Sequence, residues 1–161
     1  MIENQSRDQP LWPLWCVVAA VGAHIVEEYA LNFVGWANIA MHAPITWEDF
    51  HLVNFGVIVY CIACAVVGQR SPAFALSSAA LVILNAVGFH GGASVMTGAY
   101  SPGTASALIL FVPSGLAAYA AASRAGLLSA QTWIVSAGIG LLWHAFLAGV
   151  FAIKYFAPLY R

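Results

Sequence analysis

The chain has 161 residues, of which 62% are hydrophobic and only 7% are charged, and its formal net charge is −1. A soluble domain carries about 25% charged residues, so this composition excludes an ordinary water-exposed surface and indicates that lipid surrounds most of the chain. The sequence contains no basic patch, so we expect no nucleic-acid partner. We interpret residues 1–161 as a single all-α membrane domain, because the predicted spans use nearly the whole length.

A helix that crosses a membrane needs about 20 apolar residues. Five segments meet this length, which predicts a polytopic bundle of five transmembrane helices. Their predicted bounds are about 11–33, 47–68, 73–96, 104–123 and 132–156. Pro113 should kink the fourth helix. The link over residues 32–46 is long enough for a re-entrant or interfacial segment.

Five spans place the two termini on opposite sides of the membrane. Arg7, Arg70 and Arg124 would share the N-terminal side, and Lys154 and Arg161 would lie on the other side. Because Lys and Arg are enriched in cytoplasmic loops, this bias favours a cytoplasmic N-terminus.

The first predicted helix ends in an unusually polar turn. His24, Glu27 and Glu28 follow the apolar run 14–23. An ionisable side chain at bilayer depth costs roughly 2.5–3.5 kcal/mol on insertion scales. Positions i, i+3 and i+4 share one helix face, so we expect these three side chains to converge on one point and to carry the chemistry. Removal of either glutamate should then abolish function.

The other predicted helices carry polar side chains at a similar depth, as counted at 1.5 Å per residue. These residues are His51, Asn54, Asn85, His90 and His144. The half of each span that lies on the N-terminal side of the membrane is almost free of such groups. The sequence therefore predicts one shared intramembrane site rather than scattered polar contacts.

Imidazole and carboxylate ligands suit zinc, iron or manganese, and helical bundles hold such metals with His and Glu from facing helices. The predicted ligands are His24, Glu27, Glu28, His90 and His144. Glu27 and Glu28 are also the predicted catalytic acid–base groups. Asn85, His51 and Asn54 are the predicted substrate-binding residues. A metal-free alternative stays open, because two adjacent carboxyls in a low dielectric do not both ionise easily and can act as an acid–base pair.

Residues 100–104 read Tyr-Ser-Pro-Gly-Thr. Pro followed by Gly predicts a type II turn that leads into the fourth helix, and Thr104 could cap that helix. Tyr100 is a further catalytic candidate, because its hydroxyl could close the site as a hydrogen-bond donor.

Two other patterns are interpreted as structural. Cys61 and Cys64 fall inside a predicted membrane helix, where a buried cysteine behaves as a small hydrophobic residue, and Cys16 is interpreted in the same way. Gly88 and Gly92 are four residues apart, a spacing that is typical of close helix packing.

The His-x-x-Glu-Glu sequence from His24 to Glu28, at the end of a first membrane helix, resembles the HXXEE family of small bacterial membrane proteins. The resemblance continues through Asn85 and His90, the turn at residues 100–104 and His144, and covers about residues 12–146. It implies a bacterial inner-membrane protein and supports the position of the site, but it implies no reaction.

These observations favour a small membrane enzyme that acts on a hydrophobic or lipid-like substrate through an intramembrane His/Glu site and depends on a divalent metal. A metal-free isomerase or cyclase is one alternative. A proton- or ion-coupled transport protein is another, and with so few helices it would require a homo-oligomer. The expected partners are membrane lipid and a hydrophobic small molecule.

Overall fold

The computed structural model describes residues 11–156, with side chains described through residue 150. Arg7 and Arg161, which carry part of the orientation argument, lie outside the described residues, and the side chain of Lys154 lies outside the described side chains. Every regular element in the described range is helical. The predicted all-α fold class is therefore confirmed.

Six helices follow one another along the chain. They are α1 (Pro13–Ala30), α2 (Phe33–Ala40), α3 (Trp47–Val67), α4 (Pro72–Thr97), α5 (Thr104–Arg124) and α6 (Ala130–Phe156). Four of them, α3 to α6, are long and apolar enough to cross a membrane. The pair of α1 and α2, bent by 65°, makes a fifth candidate span.

The first helix ends three residues earlier than predicted, and the reason is local. Asn32 adopts a left-handed backbone conformation with φ 55°, which asparagine tolerates better than most residues. Its side chain accepts a hydrogen bond from the Gly35 N–H at 3.1 Å and caps α2. The re-entrant or interfacial segment predicted in the 32–46 link corresponds to α2.

Helix α4 lies at the centre of the packing, with α5 and α6 against it. Two glycines allow the close approach. A Cβ on Gly115 of α5 would lie 2.7 Å from the Ile83 Cγ1 atom, and a Cβ on Gly140 of α6 would lie 2.7 Å from the Ala80 Cβ atom. Small residues at such crossings let helix backbones approach each other.

The prediction of close packing at Gly88 and Gly92 is wrong. A Cβ at either position would meet no described atom within 4 Å. The four-residue spacing identifies a stripe of small residues, but it does not say whether that stripe faces the bundle or the surrounding lipid. Here the stripe faces outward.

Two helices contain a π-helical segment, in which the backbone hydrogen bonds join residues five apart rather than four apart. One segment spans Asn85–Gly91 in α4, and the other spans Ala107–Phe111 in α5. The second segment ends two residues before Pro113, which has no N–H to continue the hydrogen-bond ladder. The predicted kink at this proline stays a prediction. Such π segments occur frequently at functional sites.

The two cysteines of α3 lie in the apolar core. Cys61 and Cys64 are buried in the apolar core, and the Cys64 thiol donates to the Phe74 carbonyl at 3.3 Å. This agrees with their interpretation as small hydrophobic residues. Cys16 is exposed instead, so the same interpretation is wrong for it.

Candidate metal centre

Helix α1 supplies two of three converging side chains. His24 and Glu28 are one helical turn apart, and both are buried, with 4% and 6% of their surface exposed. The His24 Nε2 atom lies 3.5 Å from the Glu28 Oε1 atom. The i, i+4 spacing places both side chains on the same face of α1, which is the face turned toward α4 and α5.

His90, from the π segment of α4, completes the cluster. Its ring is fully buried. The His90 Nε2 atom lies 3.2 Å from the His24 Nε2 atom and 3.6 Å from the Glu28 Oε1 atom. Two imidazole nitrogens and one carboxylate oxygen therefore form a nearly equilateral triangle, which we call the His–Glu–His triangle.

The size of the triangle fits a tetrahedral metal ion. With metal–ligand bonds of 2.0–2.1 Å, two ligand atoms of a tetrahedron are separated by about 3.3–3.4 Å. The three observed separations are 3.2, 3.5 and 3.6 Å. A metal held by these three atoms would keep a fourth position open, as catalytic zinc sites do.

Two serines orient the imidazole rings. The Ser106 Oγ atom lies 3.0 Å from His24 Nδ1, and the Ser101 Oγ atom lies 3.1 Å from His90 Nδ1. The Ser106 hydroxyl donates to the Gly103 carbonyl, so its oxygen is available to accept from the His24 Nδ1–H. In the neutral tautomer that donates this bond, the lone pair of His24 Nε2 points into the triangle, and Ser106 then acts as the second-shell partners of metal-bound histidines do.

The turn before α5 closes directly over the triangle. The Thr104 N–H donates to the Ser101 carbonyl at 3.0 Å, and Gly103 has φ 98° and ψ −14°. The predicted type II turn is confirmed by this geometry. A Cβ on Gly103 would lie 2.6 Å from the Cε1 atoms of both His24 and His90, so only glycine fits this position.

Glu27 does not join the triangle, and the prediction that it converges with its neighbours is wrong. Its carboxylate points to the start of α5, where it accepts from Ser106 N–H at 2.7 Å, Gly103 N–H at 3.2 Å and Ala105 N–H at 3.3 Å. The first amides of a helix have no partner within the helix. Glu27 therefore acts as a cap of α5 that is supplied by another helix.

Tyr100 contributes to the same cap, and neither Tyr100 nor Thr104 joins the triangle. The Tyr100 hydroxyl donates to Glu27 Oε1 at 2.5 Å, and partial burial and this bond raise the pKa of Tyr100. Thr104 is the first residue of α5 rather than its cap, and its hydroxyl donates to the Ser101 carbonyl at 2.6 Å. Gly103 is the capping residue and has no side chain, which explains the need for Glu27.

A largely apolar cavity of about 100 Å³ adjoins His24 and Glu28. Its other polar lining residues are Asn54, Asn85 and His144. Of these, Asn54 already donates to the Phe50 carbonyl at 3.0 Å. Within the described range, the His/Cys/Asp/Glu atoms close enough to share one metal belong to the triangle. His144 lines the cavity but does not join them, so its prediction as a metal ligand is wrong.

His51 lies away from the cavity, contrary to its predicted substrate role. Its exposed ring packs 6.1 Å from the Trp47 ring and 6.4 Å from the Tyr29 ring, measured between centroids. This exposed aromatic cluster at the start of α3 resembles the aromatic belts of membrane interfaces.

The sequence interpretation missed four residues that shape the site. The sequence predicts Ser101 and Gly103 as turn residues only, with no contact to the histidines, and it predicts no role for Ser106. Phe111 packs its ring 4.4 Å from the His24 ring, between centroids. The turn at residues 100–104 is the one sequence signal near Ser101 and Gly103, and it does not show that they contact the histidines. No sequence pattern identifies Ser106 or Phe111.

The fold and the site together describe a helical membrane-type bundle with a buried His/Glu cluster under a glycine turn. The family model described as "Protein of unknown function with HXXEE motif" matches residues 15–118. The chain belongs to this family, and His24, Glu27 and Glu28 form its motif. The match includes His90 and the turn but ends before α6 and His144. No curated protein and no solved structure matches the chain.

Proposed function

We propose that this protein is a small membrane-embedded enzyme that acts on a hydrophobic substrate through a divalent metal ion. The His–Glu–His triangle is the observation that carries the proposal. Its three atoms belong to α1 and α4, lie within 3.6 Å of one another and are buried.

The charges around Glu28 favour a cation at this point. A buried carboxylate is costly unless it is paired or coordinates a metal. The partners within reach of Glu28 Oε1 in the described structure are two imidazoles. In the neutral tautomer that donates its Nδ1–H to Ser106, His24 has a lone pair and not a proton on Nε2. A zinc-class ion bound here would supply Lewis-acid polarisation or an activated water.

The adjoining cavity supports a hydrophobic substrate. Its lining is mostly apolar, with side chains such as Val57, Phe50 and Leu147 facing the same space as His24 and Glu28. Binding sites for small molecules are typically apolar with a few convergent polar groups. His24, Glu28 and the polar cavity residues supply those groups.

Metal analysis of the purified full-length chain tests this proposal. We expect about one zinc-class ion per chain, as a site with three protein ligands holds one metal, and loss of that ion in Glu28→Gln. Glu27→Gln is the matched control, because Glu27 lies next to Glu28 in sequence but outside the triangle. A wild-type protein that binds no metal after reconstitution, or a Glu28→Gln protein that keeps it, would contradict the proposal.

A second candidate, metal-free acid–base chemistry, has one observation in its favour. The 3.2 Å separation of His24 Nε2 and His90 Nε2 is that of a hydrogen bond. In this candidate a proton lies between the rings and can pass to Glu28. A metal content near zero, with activity that still requires Glu28, would favour it.

A transport role has less support in the packing. A path for protons or ions needs titratable groups on both sides of the triangle. On the N-terminal side of the described bundle, the buried cluster that contains Leu14, Leu76 and Ala118 is apolar, and the buried hydroxyls of Tyr60 and Ser77 bond to each other.

We place the protein in a bacterial inner membrane with a cytoplasmic N-terminus. Arg70 and Arg124 lie in the connections on the N-terminal side of the described bundle, where the positive-inside rule expects them. Reporter fusions at the loops after α3 and α4 test the orientation: a cytoplasmic signal after α4 would reverse it.

A further inference from the structure

Two polar atoms in the cavity are buried without a partner. Among the described residues, Asn85 Oδ1 and His144 Nδ1 accept or donate no hydrogen bond. Both residues line the same cavity as His24 and Glu28. Buried polar side-chain atoms are nearly always paired, so two orphans that line one cavity indicate a ligand group that supplies the missing bonds.

The chemistry of the two atoms narrows the ligand group. An amide oxygen accepts a hydrogen bond, and an imidazole nitrogen accepts or donates according to its tautomer. A hydroxyl is one donor and two acceptors, so one hydroxyl can satisfy both side chains. A hydroxyl can also bond to both side chains if the oxygen and nitrogen of the Asn85 amide are exchanged. An ether or a ketone has no donor, so it cannot bond to the unpaired Asn85 Oδ1 atom.

Charge and volume narrow the ligand further. The cavity lining contains no Lys or Arg and contains the carboxylate of Glu28, so an anionic headgroup has no cationic side chain to pair with, and in the metal-free chain it has no cation at all. A cavity of about 100 Å³ holds only a group of a few atoms. A longer tail must leave it, and the flanking surfaces of α3 and α6 are apolar and exposed at Phe55 and Phe146.

We infer that the cavity binds the hydroxyl end of an uncharged long-chain alcohol, with Asn85 and His144 as its specificity-determining residues. This inference rests on the proposed function, because it takes the cavity to be the substrate chamber of that enzyme. The hydroxyl bonds to Asn85 and His144 beside the triangle, and the alkyl tail extends into the bilayer between α3 and α6.

Photolabelling of the full chain in lipid nanodiscs tests the inference. The probe is a C12 alcohol with a diazirine in its tail, compared with the matched methyl ether and carboxylic acid, all on chelator-treated protein. We expect saturable labelling of cavity residues by the alcohol, at an affinity about tenfold above that of the ether for each lost hydrogen bond. Unlabelled dodecanol should compete, and laurate should not.

The variants separate a ligand role from a folding role. Asn85→Leu and His144→Phe should each reduce cavity labelling about tenfold, yet their unfolding temperatures should equal or exceed that of the wild type, because they remove an unpaired buried group. Ser114→Ala is the control, since Ser114 bonds within its own helix and lies outside the cavity lining.

Two results would overturn the inference. One is labelling of Asn85→Leu and His144→Phe at wild-type levels, which would mean that the two atoms bond to water only. The other is stronger labelling by the carboxylic acid than by the alcohol. Either result, in a chain that binds zinc, would refute the alcohol site and leave the proposed metal centre intact. Alcohol labelling in a chain that binds no zinc would refute the metal centre alone.

Discussion

Glu27 and Glu28 are adjacent in sequence and have the same side chain, but they lie in opposite chemical surroundings. Glu27 is held by donors: three backbone amides at the start of α5 and the Tyr100 hydroxyl. Glu28 faces the nitrogens of His24 and His90. The first carboxylate has its partners in the protein, whereas the second lies where a cation would be bound.

Position along the helix and residue type therefore do not decide the role of an acidic side chain in this bundle. What decides it is the set of partners that the neighbouring elements present. The cap around Glu27 and the triangle around Glu28 meet at Gly103. Its N–H bonds to Glu27, and a Cβ on it would clash with both histidine rings. Variants of the Glu27 cap should therefore change stability, whereas variants around the His–Glu–His triangle should change metal binding.

We expect the largest effect from Gly103→Ala, because this variant disturbs both the Glu27 cap and the His–Glu–His triangle. The new Cβ would clash with His24 and His90 at 2.6 Å, and alanine is strained at φ 98°. Metal binding should be lost, and the protein should be destabilised by more than about 2 kcal/mol, as measured by unfolding in detergent.

Gly98→Ala provides the control for the strain alone. Gly98 also has a positive φ, of 65°, but a Cβ there meets no described atom within 4 Å. It should lower stability by about 1 kcal/mol and leave the metal content unchanged. Equal effects of the two alanine variants would show that Gly103 does not close the site.

Glu27→Gln should act on stability and not on metal. The glutamine amide nitrogen would face backbone N–H donors, so we expect a loss of about 2 kcal/mol. Zinc stoichiometry should stay at the wild-type level. A Glu27→Gln protein with wild-type stability and no zinc would reverse the roles given to the two glutamates.

Ser101→Ala and Ser106→Ala should act on metal and little on stability. Each removes the hydroxyl that orients one imidazole, and loss of such a second-shell partner weakens metal affinity about tenfold. Competition with a fluorescent zinc chelator measures this affinity. Unchanged affinity in both variants would show that the histidines are oriented without the serines.

The smallest effect is expected from Tyr100→Phe. The variant loses the bond from the Tyr100 hydroxyl to Glu27 and the acceptor of the Ala105 N–H, at an exposed position, for a cost of about 1 kcal/mol. Metal content should not change. A destabilisation as large as that of Glu27→Gln would mean that Tyr100, and not the amides, provides most of the cap.

The sequence predicted the all-helical fold and its long apolar helices well, because apolar length is a property of each segment by itself. It also predicted that His24, Glu28 and His90 lie near one depth, since depth follows from position along each helix. It could not tell Glu27 from Glu28, because that distinction depends on where α5 begins in space. The roles of Ser106 and Gly103 were hidden for the same reason, and the π segment that sets the orientation of His90 has no reliable sequence signature.

X-ray absorption spectroscopy of the zinc-loaded protein tests the metal centre most directly. We expect a first shell of nitrogen and oxygen at about 2.0–2.1 Å with the outer-shell scattering of two imidazoles, reduced to one imidazole in His90→Ala. A shell that contains sulfur, or a wild-type spectrum without two imidazoles, would contradict the proposal that His24, Glu28 and His90 hold the metal.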